Sequence, residues 1–335
     1  MIPSKADDDR PATPKRSKLD YVWPLVGLFA VGFSFWLLYR ELRGSSVRDV
    51  AGTLAAIPPH RYGLALVATL AAYWALAWYD RIALEHLGRK LNWGFISVVS
   101  FTTYALSHNI GASVFSGGMV RYRAYSTKGL KAPEVAVLVA FCSFTFMFGM
   151  VATGGVVFSF EPELIHRLLH VPTGAVRSIG AGCLVLVVLY LLGAARHSKP
   201  LRLGAFTLEY PNVRIALRQL IAGPLEIMGA AAILYAALPE KGNPGYFTVL
   251  GVFVATFSAA LISQAPGGLG VIEVLFVTAL PDIPKVEVLA AVIVFRIFYL
   301  LLPLALSIPV VLLFERSRLS SVLESGEKTA APDTR

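Results

Sequence analysis

Between Ser107 and Arg123 the chain collects side chains suited to holding an anion or moving a proton: Ser107, His108, Asn109, Ser113, Ser116, the pair Gly117-Gly118, then Arg121 and Arg123. Guanidinium groups grip phosphate bidentately, and successive backbone N–H groups in a Gly-rich turn or at a helix start add an anion site. The setting makes this unusual, because the stretch continues an apolar run from Phe95 to Leu106. A charge at the bilayer centre costs about 2.5 to 3.5 kcal/mol on insertion scales, so an ionisable residue at that depth is a functional candidate by default. Backbone that breaks its helix there must be buried in protein or line a wet cavity. Ser263 to Glu273 repeats the pattern about 150 residues later, with Gly267-Gly268 inside a second apolar run. Paired interruptions of this kind point to a transporter binding site; glycines that only pack helices are the competing reading.

Composition says what surrounds these residues. Of 335 residues 56% are hydrophobic and 15% charged, against roughly 25% charged in soluble domains, so the chain is a polytopic membrane protein. The formal charge of +9 sits in Lys and Arg at the ends of apolar runs, which marks membrane orientation and anionic headgroups rather than nucleic acid. Cys142 and Cys183 lie inside apolar runs and give no disulfide framework. No cofactor is indicated, since no nucleotide loop or metal motif occurs; His166 and His170 have ligand spacing but lack a third ligand.

Six full spans are expected: about Tyr21–Leu38, Tyr62–Tyr79, Val135–Phe158, Ala175–Ala195, Ile215–Leu238 and Val286–Phe314, the last kinked by Pro303 and Pro309. Residues 1–20 and 317–335 read as disordered tails around a membrane domain at 21–316, and the N-terminal run is long enough to stay as an anchor rather than be cleaved. Val47 to Ile57 reads as a surface amphipathic helix, Asp80 to Asn92 as a loop or surface helix, and the segment with Arg196, Lys199 and Arg202 as a basic loop. Met119 to Lys131 reads as a basic amphipathic stretch ended by Pro133.

Charge then decides how the two interrupted segments run. If every apolar run crosses, the loops with Arg121, Arg123, Lys128 and Lys131 and with Arg196, Lys199 and Arg202 fall opposite the basic N-terminus, against the positive-inside rule. If both Gly-pair segments enter and return on one face, those loops and both tails become cytoplasmic. The fold class is therefore an all-α polytopic membrane protein with about six transmembrane helices and two re-entrant Gly-Gly hairpins, which admits an inverted repeat. Arg40, Arg43, Arg48 and Arg61 remain on the wrong side.

Glu226, Glu273 and Arg296 are the other charges in apolar surroundings, expected to neutralise one another or an Arg of the first motif. A proton-coupling carboxylate is the sharper alternative for Glu226 or Glu273. In a helix, Arg121 and Tyr125 share a face and Arg123 points away, so the two Arg need not share a ligand; positive-inside anchoring is the plainer reading of both. For His108, one turn from Tyr104 on the same face, lining a cavity and hydrogen-bonding a neighbouring helix are the two readings, and the second is the expectation.

The runs Tyr104–Asn109 and Ser116–Ser126, with Pro266–Glu273, resemble the lysylphosphatidylglycerol synthetase/flippase family, which includes the multiple peptide resistance factor and shorter membrane proteins. The resemblance implies a multi-pass bacterial inner-membrane protein whose re-entrant segments form a groove for anionic or aminoacylated phospholipid. Its carried-over lining is Ser116 to Arg123 and Pro266 to Glu273. Ser107, His108, Asn109, Ser116, Gly117, Gly118, Arg121, Arg123, Gly267, Gly268, Glu273 and Arg296 form the expected substrate-binding set, with no catalytic or metal residue. Bifunctional members continue into a cytosolic domain that transfers lysine from tRNA; this chain stops at Arg335, so that activity is not carried over. Membrane phospholipids are the expected partners, and a soluble lipid-modifying transferase or a second copy are further ones. A non-transporting subunit that feeds such a transferase is the alternative function.

Overall fold

The computed structural model describes residues 47–110, 113–163, 171–196, 201–203, 206–208, 210–263, 268–314 and 316. The expected first span at 21–38, both tails, His166, His170, Lys199 and Gly267 lie outside them. Ten α-helices are described: α1 (Val47–Ala56), α2 (Pro59–His86), α3 (Trp93–Ile110), α4 (Ser113–Tyr125), α5 (Ala132–Phe160), α6 (Thr173–Ala195), α7 (Val213–Ala237), α8 (Tyr246–Ser263), α9 (Val271–Ala279) and α10, which starts at Lys285–Phe295. Beyond Phe295, α10 passes through a π-helical turn, Arg296–Leu301, and runs on to Phe314. Five helices are long and apolar enough to cross a membrane: α2, α5, α6, α7 and the whole of Lys285–Phe314. They coincide with the last five expected spans.

Sequence sets the ends of these helices. Pro59 takes the first turn of α2, where its missing N–H removes nothing, with extended Pro58 before it. Pro133 likewise sits in the first turn of α5 and does not end the preceding basic stretch. That stretch stops earlier, in a 3-10 turn at Ser126–Lys128 closed by Gly129 at φ 81°, a left-handed geometry that glycine adopts without strain. The stretch from Asp80, expected as a loop or a surface helix, is instead a continuation of α2, which stays helical to His86 and buries Asp80. The basic segment after α6 contains a two-stranded antiparallel ladder pairing Leu201–Leu203 with Phe206–Leu208, the one departure from helix among the described elements.

Small residues let the bundle close. A Cβ on Gly149 of α5 would stand 2.6 Å from the backbone of Gly223 in α7, and one on Gly229 of α7 would stand 3.0 Å from Ala72 of α2. Helices in lipid gain no hydrophobic drive from each other, so such close approach carries their association. α6 packs on α5 through Gly155 and Gly180 and turns Ile179, Val185, Leu186, Val188 and Leu189 outward, as a lipid-facing helix should.

Two antiparallel hairpins are inserted into this bundle, α3–α4 and α8–α9. The first begins and finishes at one end: Phe95 meets Tyr125 edge-on at 5.9 Å, and Lys128 Nζ lies 5.1 Å over the Phe95 ring. Arg89–Glu134 and Arg218–Glu85 ion pairs mark that end. The second hairpin opens at the opposite end, where Gly242 lies against the Asp282 carbonyl and Arg61 pairs with Glu240 at 2.9 Å. Arg61 also donates to the Leu238 carbonyl, so one of the four arginines that fit the positive-inside rule badly has an acidic partner within the protein.

Candidate functional site

Among the described residues, the interior of this apolar bundle holds three acidic groups and two arginines. Asp80 of α2 is fully buried, and Arg121 of α4 is 3% exposed. The Arg121 guanidinium meets the Asp80 carboxylate through Nη2 at 2.7 Å and through Nε at 3.2 Å to both oxygens. Tyr125, one turn further along α4, donates its hydroxyl to Asp80 Oδ2 at 2.8 Å, and the Cys142 thiol donates to Oδ1 at 3.4 Å. The guanidinium carbon lies 4.7 Å over the Tyr104 ring, an attraction that grows when both groups are desolvated. Arg123 points away and is exposed, as helical spacing predicts.

Gly117 makes the Arg121 position possible. A Cβ there would stand 2.8 Å from Ser107 Oγ, 3.2 Å from the Thr103 methyl and 3.3 Å from Arg121 Nη1, whereas one on Gly118 would meet only Val139, at 3.8 Å. Both glycines lie inside α4, so the expectation of a helix broken at Gly117-Gly118 is corrected. Gly117 serves the contact between α3 and α4, and Gly118 has room to spare. Gly117→Ala is accordingly expected to lose about 1 to 3 kcal/mol through overpacking, while Gly118→Ala leaves the melting temperature in detergent nearly unchanged; equal losses would refute this assignment.

The remaining buried charges gather around the π turn of α10. Arg296 pairs with Glu273 of α9, Nε to Oε1 at 2.7 Å, and the two residues are 6% and 3% exposed. Glu273 Oε2 also accepts the Gly270 N–H at 2.9 Å. Gly268 and Gly270 have φ of 65° and 77°, so the second interruption uses glycine for left-handed backbone. The expected neutralisation of Glu273 by Arg296 is therefore observed, with a buried pair in place of an open groove wall.

One turn later Tyr299 donates to Glu226 Oε1 of α7. Glu226 is 4% exposed, and its Oε2 has no hydrogen-bond partner among the described residues. His108 of α3 stacks on Tyr299 with centroids 5.2 Å apart and lies 5.5 Å from Tyr104, while its Nδ1 finds no partner among the described residues. The expected hydrogen bond from His108 to a neighbouring helix is thus replaced by ring stacking. Buried unsatisfied polar atoms are rare enough to need a reason, and here two of them flank one tyrosine.

Pro303 brings no N–H to the helix, and the π turn before it widens the ladder. Carbonyls in this turn take donors from elsewhere: Tyr73 OH donates to Tyr299 O at 3.0 Å, and Asn109 Nδ2 donates to Leu300 O at 3.1 Å and to Ala105 O at 2.8 Å. Ser107 Oγ donates to Thr103 O at 2.7 Å; Ser116 is buried. The six residues Arg296–Leu301 therefore touch the first hairpin through His108 and Asn109, the second through Glu273, and α7 through Glu226. Sequence reasoning missed Asp80 and Tyr299, and it put Tyr125 on the face of Arg121 without giving it a partner.

Comparison with known proteins agrees with this architecture. The family model described as the lysylphosphatidylglycerol synthase TM region matches residues 25–307. The chain is 31% identical over 284 residues to the uncharacterized protein slr0712 of Synechocystis sp. (strain ATCC 27184 / PCC 6803 / Kazusa), covering 83% of this chain and 87% of that one. It is 29% identical over 242 residues to the inner membrane protein YbhN of Escherichia coli (strain K12), covering 71% and 74%. With its membrane helices and both polar motifs inside the matched region, the chain belongs to the lysylphosphatidylglycerol synthase TM-region family.

Proposed function

We propose that this protein moves phospholipid between the leaflets of the bacterial inner membrane, with anionic or aminoacylated phosphatidylglycerol as cargo. The observation that carries the reading is the pair of hairpins opening at opposite ends and joined on Arg296–Leu301. In a membrane both hairpins would be re-entrant, and their opposed directions are those of an inverted repeat, the arrangement that places a transport site near the midplane. The inner-membrane placement draws on the printed name of the Escherichia coli relative.

In this reading the structure is the closed state. Arg121, held by Asp80, is the phosphate ligand in waiting: a lipid phosphate offers the same bidentate geometry as the carboxylate and would exchange with it. Glu226, which accepts from Tyr299 through Oε1 and has no hydrogen-bond partner on Oε2 among the described residues, is the acceptor for a cationic headgroup or a proton. Glu273 and Arg296 hold the second hairpin to α10 in the closed state.

The test uses proteoliposomes containing fluorescent phosphatidylglycerol or its lysylated form and an impermeant quencher. Protein should speed loss of the protected inner-leaflet signal, and Arg121→Lys, which keeps the charge but not the planar fork, should slow it. Folded protein that accelerates neither lipid would overturn the reading and leave the non-transporting subunit, for which co-purification with a transferase is the corresponding check.

A further inference from the structure

We infer that a second site, separate from the hairpins, holds the headgroup phosphate of an anionic phospholipid at the end of the bundle where the first hairpin opens. Trp74, Trp78 and Arg81 of α2, Trp93 at the start of α3 and Arg218 of α7 line a cavity of about 390 Å³. That volume falls within the roughly 300 to 1,000 Å³ range of small-molecule clefts.

Its charge is unbalanced in a way that selects the ligand. Arg81 and Arg218 both turn to one carboxylate, Glu85, through Nε at 3.1 Å and through Nη1. Two guanidinium groups against one carboxylate leave a net positive charge beside the cavity. The three charged side chains are between 32% and 49% exposed, so they keep donors available to a ligand.

The aromatic wall supplies the rest. Trp74 lies 5.3 Å from Trp78 and 6.3 Å from Trp93, and Arg81 stands 5.2 Å over the Trp93 ring. Tryptophan settles at headgroup level in a bilayer, so this cluster sets the depth of the site. Below it on α2, Leu70 and Val67 are 62% and 63% exposed, and Trp74 itself is half exposed; an acyl chain has an apolar ridge to follow. Phosphate above and acyl chain below describe a phospholipid. A bound lipid here does not require that any lipid be translocated, so this inference stands or falls separately from the function proposed above.

Substituting phenylalanine for Trp23 and Trp36 leaves Trp74, Trp78 and Trp93 as the remaining tryptophans of the five in the chain, and hence as the fluorescence reporters. In phosphatidylcholine nanodiscs, chain-brominated phosphatidylglycerol should quench this emission more than chain-brominated phosphatidylcholine at the same mole fraction. Arg81→Gln with Arg218→Gln should weaken the preference roughly tenfold, the scale of a charge-assisted hydrogen bond. Glu85→Gln, which removes the competing carboxylate, should strengthen it. That gain is decisive if the double variant misfolds, since a purely structural cluster would lose by it. Equal quenching by both lipids overturns the inference, as does a preference unchanged by Glu85→Gln. Abolition of the preference by millimolar inorganic phosphate would assign the cavity to a free anion instead.

Discussion

Asp80→Ala should destabilise the protein more than any other single change at the candidate site. It leaves the Arg121 guanidinium buried without its counter-charge, and breaking a buried pair by removing one partner typically costs about 3 to 5 kcal/mol. Two further donors lose their acceptor, because Tyr125 and Cys142 both direct hydrogens at this carboxylate. The expected result is a steep fall in melting temperature in detergent and aggregation during purification. Asp80→Ala combined with Arg121→Leu should recover much of that stability, since an apolar replacement of a buried pair is often neutral or better. It should not recover lipid movement. If the double variant regained both, the pair would be structural glue and Arg121 would have no ligand to hold.

Glu226→Gln should behave in the opposite way, keeping the fold and losing the activity. Glutamine still accepts the Tyr299 hydroxyl through its amide oxygen and has nearly the same volume, so the melting temperature should shift little. What disappears is a carboxyl group able to gain and lose a proton or to meet a cation beside Tyr299. Hydrogen bonds to charged groups contribute about 1.5 to 3 kcal/mol, so lipid movement in the quenching assay should slow by roughly tenfold to a hundredfold. Tyr299→Phe keeps the carboxyl group and removes its hydrogen-bond donor, and should reduce both stability and rate to a smaller degree. A Glu226→Gln protein that moves lipid at the parent rate would show the carboxylate to be dispensable.

The spans were legible because long apolar runs bounded by aromatic and basic residues have few alternatives in a membrane protein. Arg121, Glu273 and Arg296 stood out for the same reason inverted, as charges where lipid would exclude them, and the Glu273–Arg296 neutralisation followed from it. Asp80 did not stand out. It ends an apolar run and precedes Arg81 and Glu85, so it resembled the start of a loop, and its partner lies 41 residues on in another helix. One signal was available: the buried face Ala72, Tyr73, Leu76, Tyr79, Asp80, Ala83 continues at helical spacing through the carboxylate, which a surface loop would not do. Gly117 and Gly118 are equivalent in a sequence, but a helical step rotates one from the other by about 100°, so Gly117 faces Ser107 while Gly118 does not. The stacking of His108 on Tyr299 joins segments 191 residues apart and leaves no local trace.

The wide turn at Arg296–Leu301 gives the last helix a degree of freedom that an unbroken α-helix lacks. A π turn stores one surplus residue relative to α geometry, and moving that surplus along the helix swings the side chains it passes by about 100° without lengthening or unfolding the rod. Arg296 lies at the leading edge of the turn, and Tyr299 and Leu300 lie near its trailing edge. A one-residue migration would thus unlatch Glu273 on one side and re-aim Tyr299 on the other in the same movement. The helix would act as a camshaft between the two hairpins, with its timing fixed by where the extra residue sits.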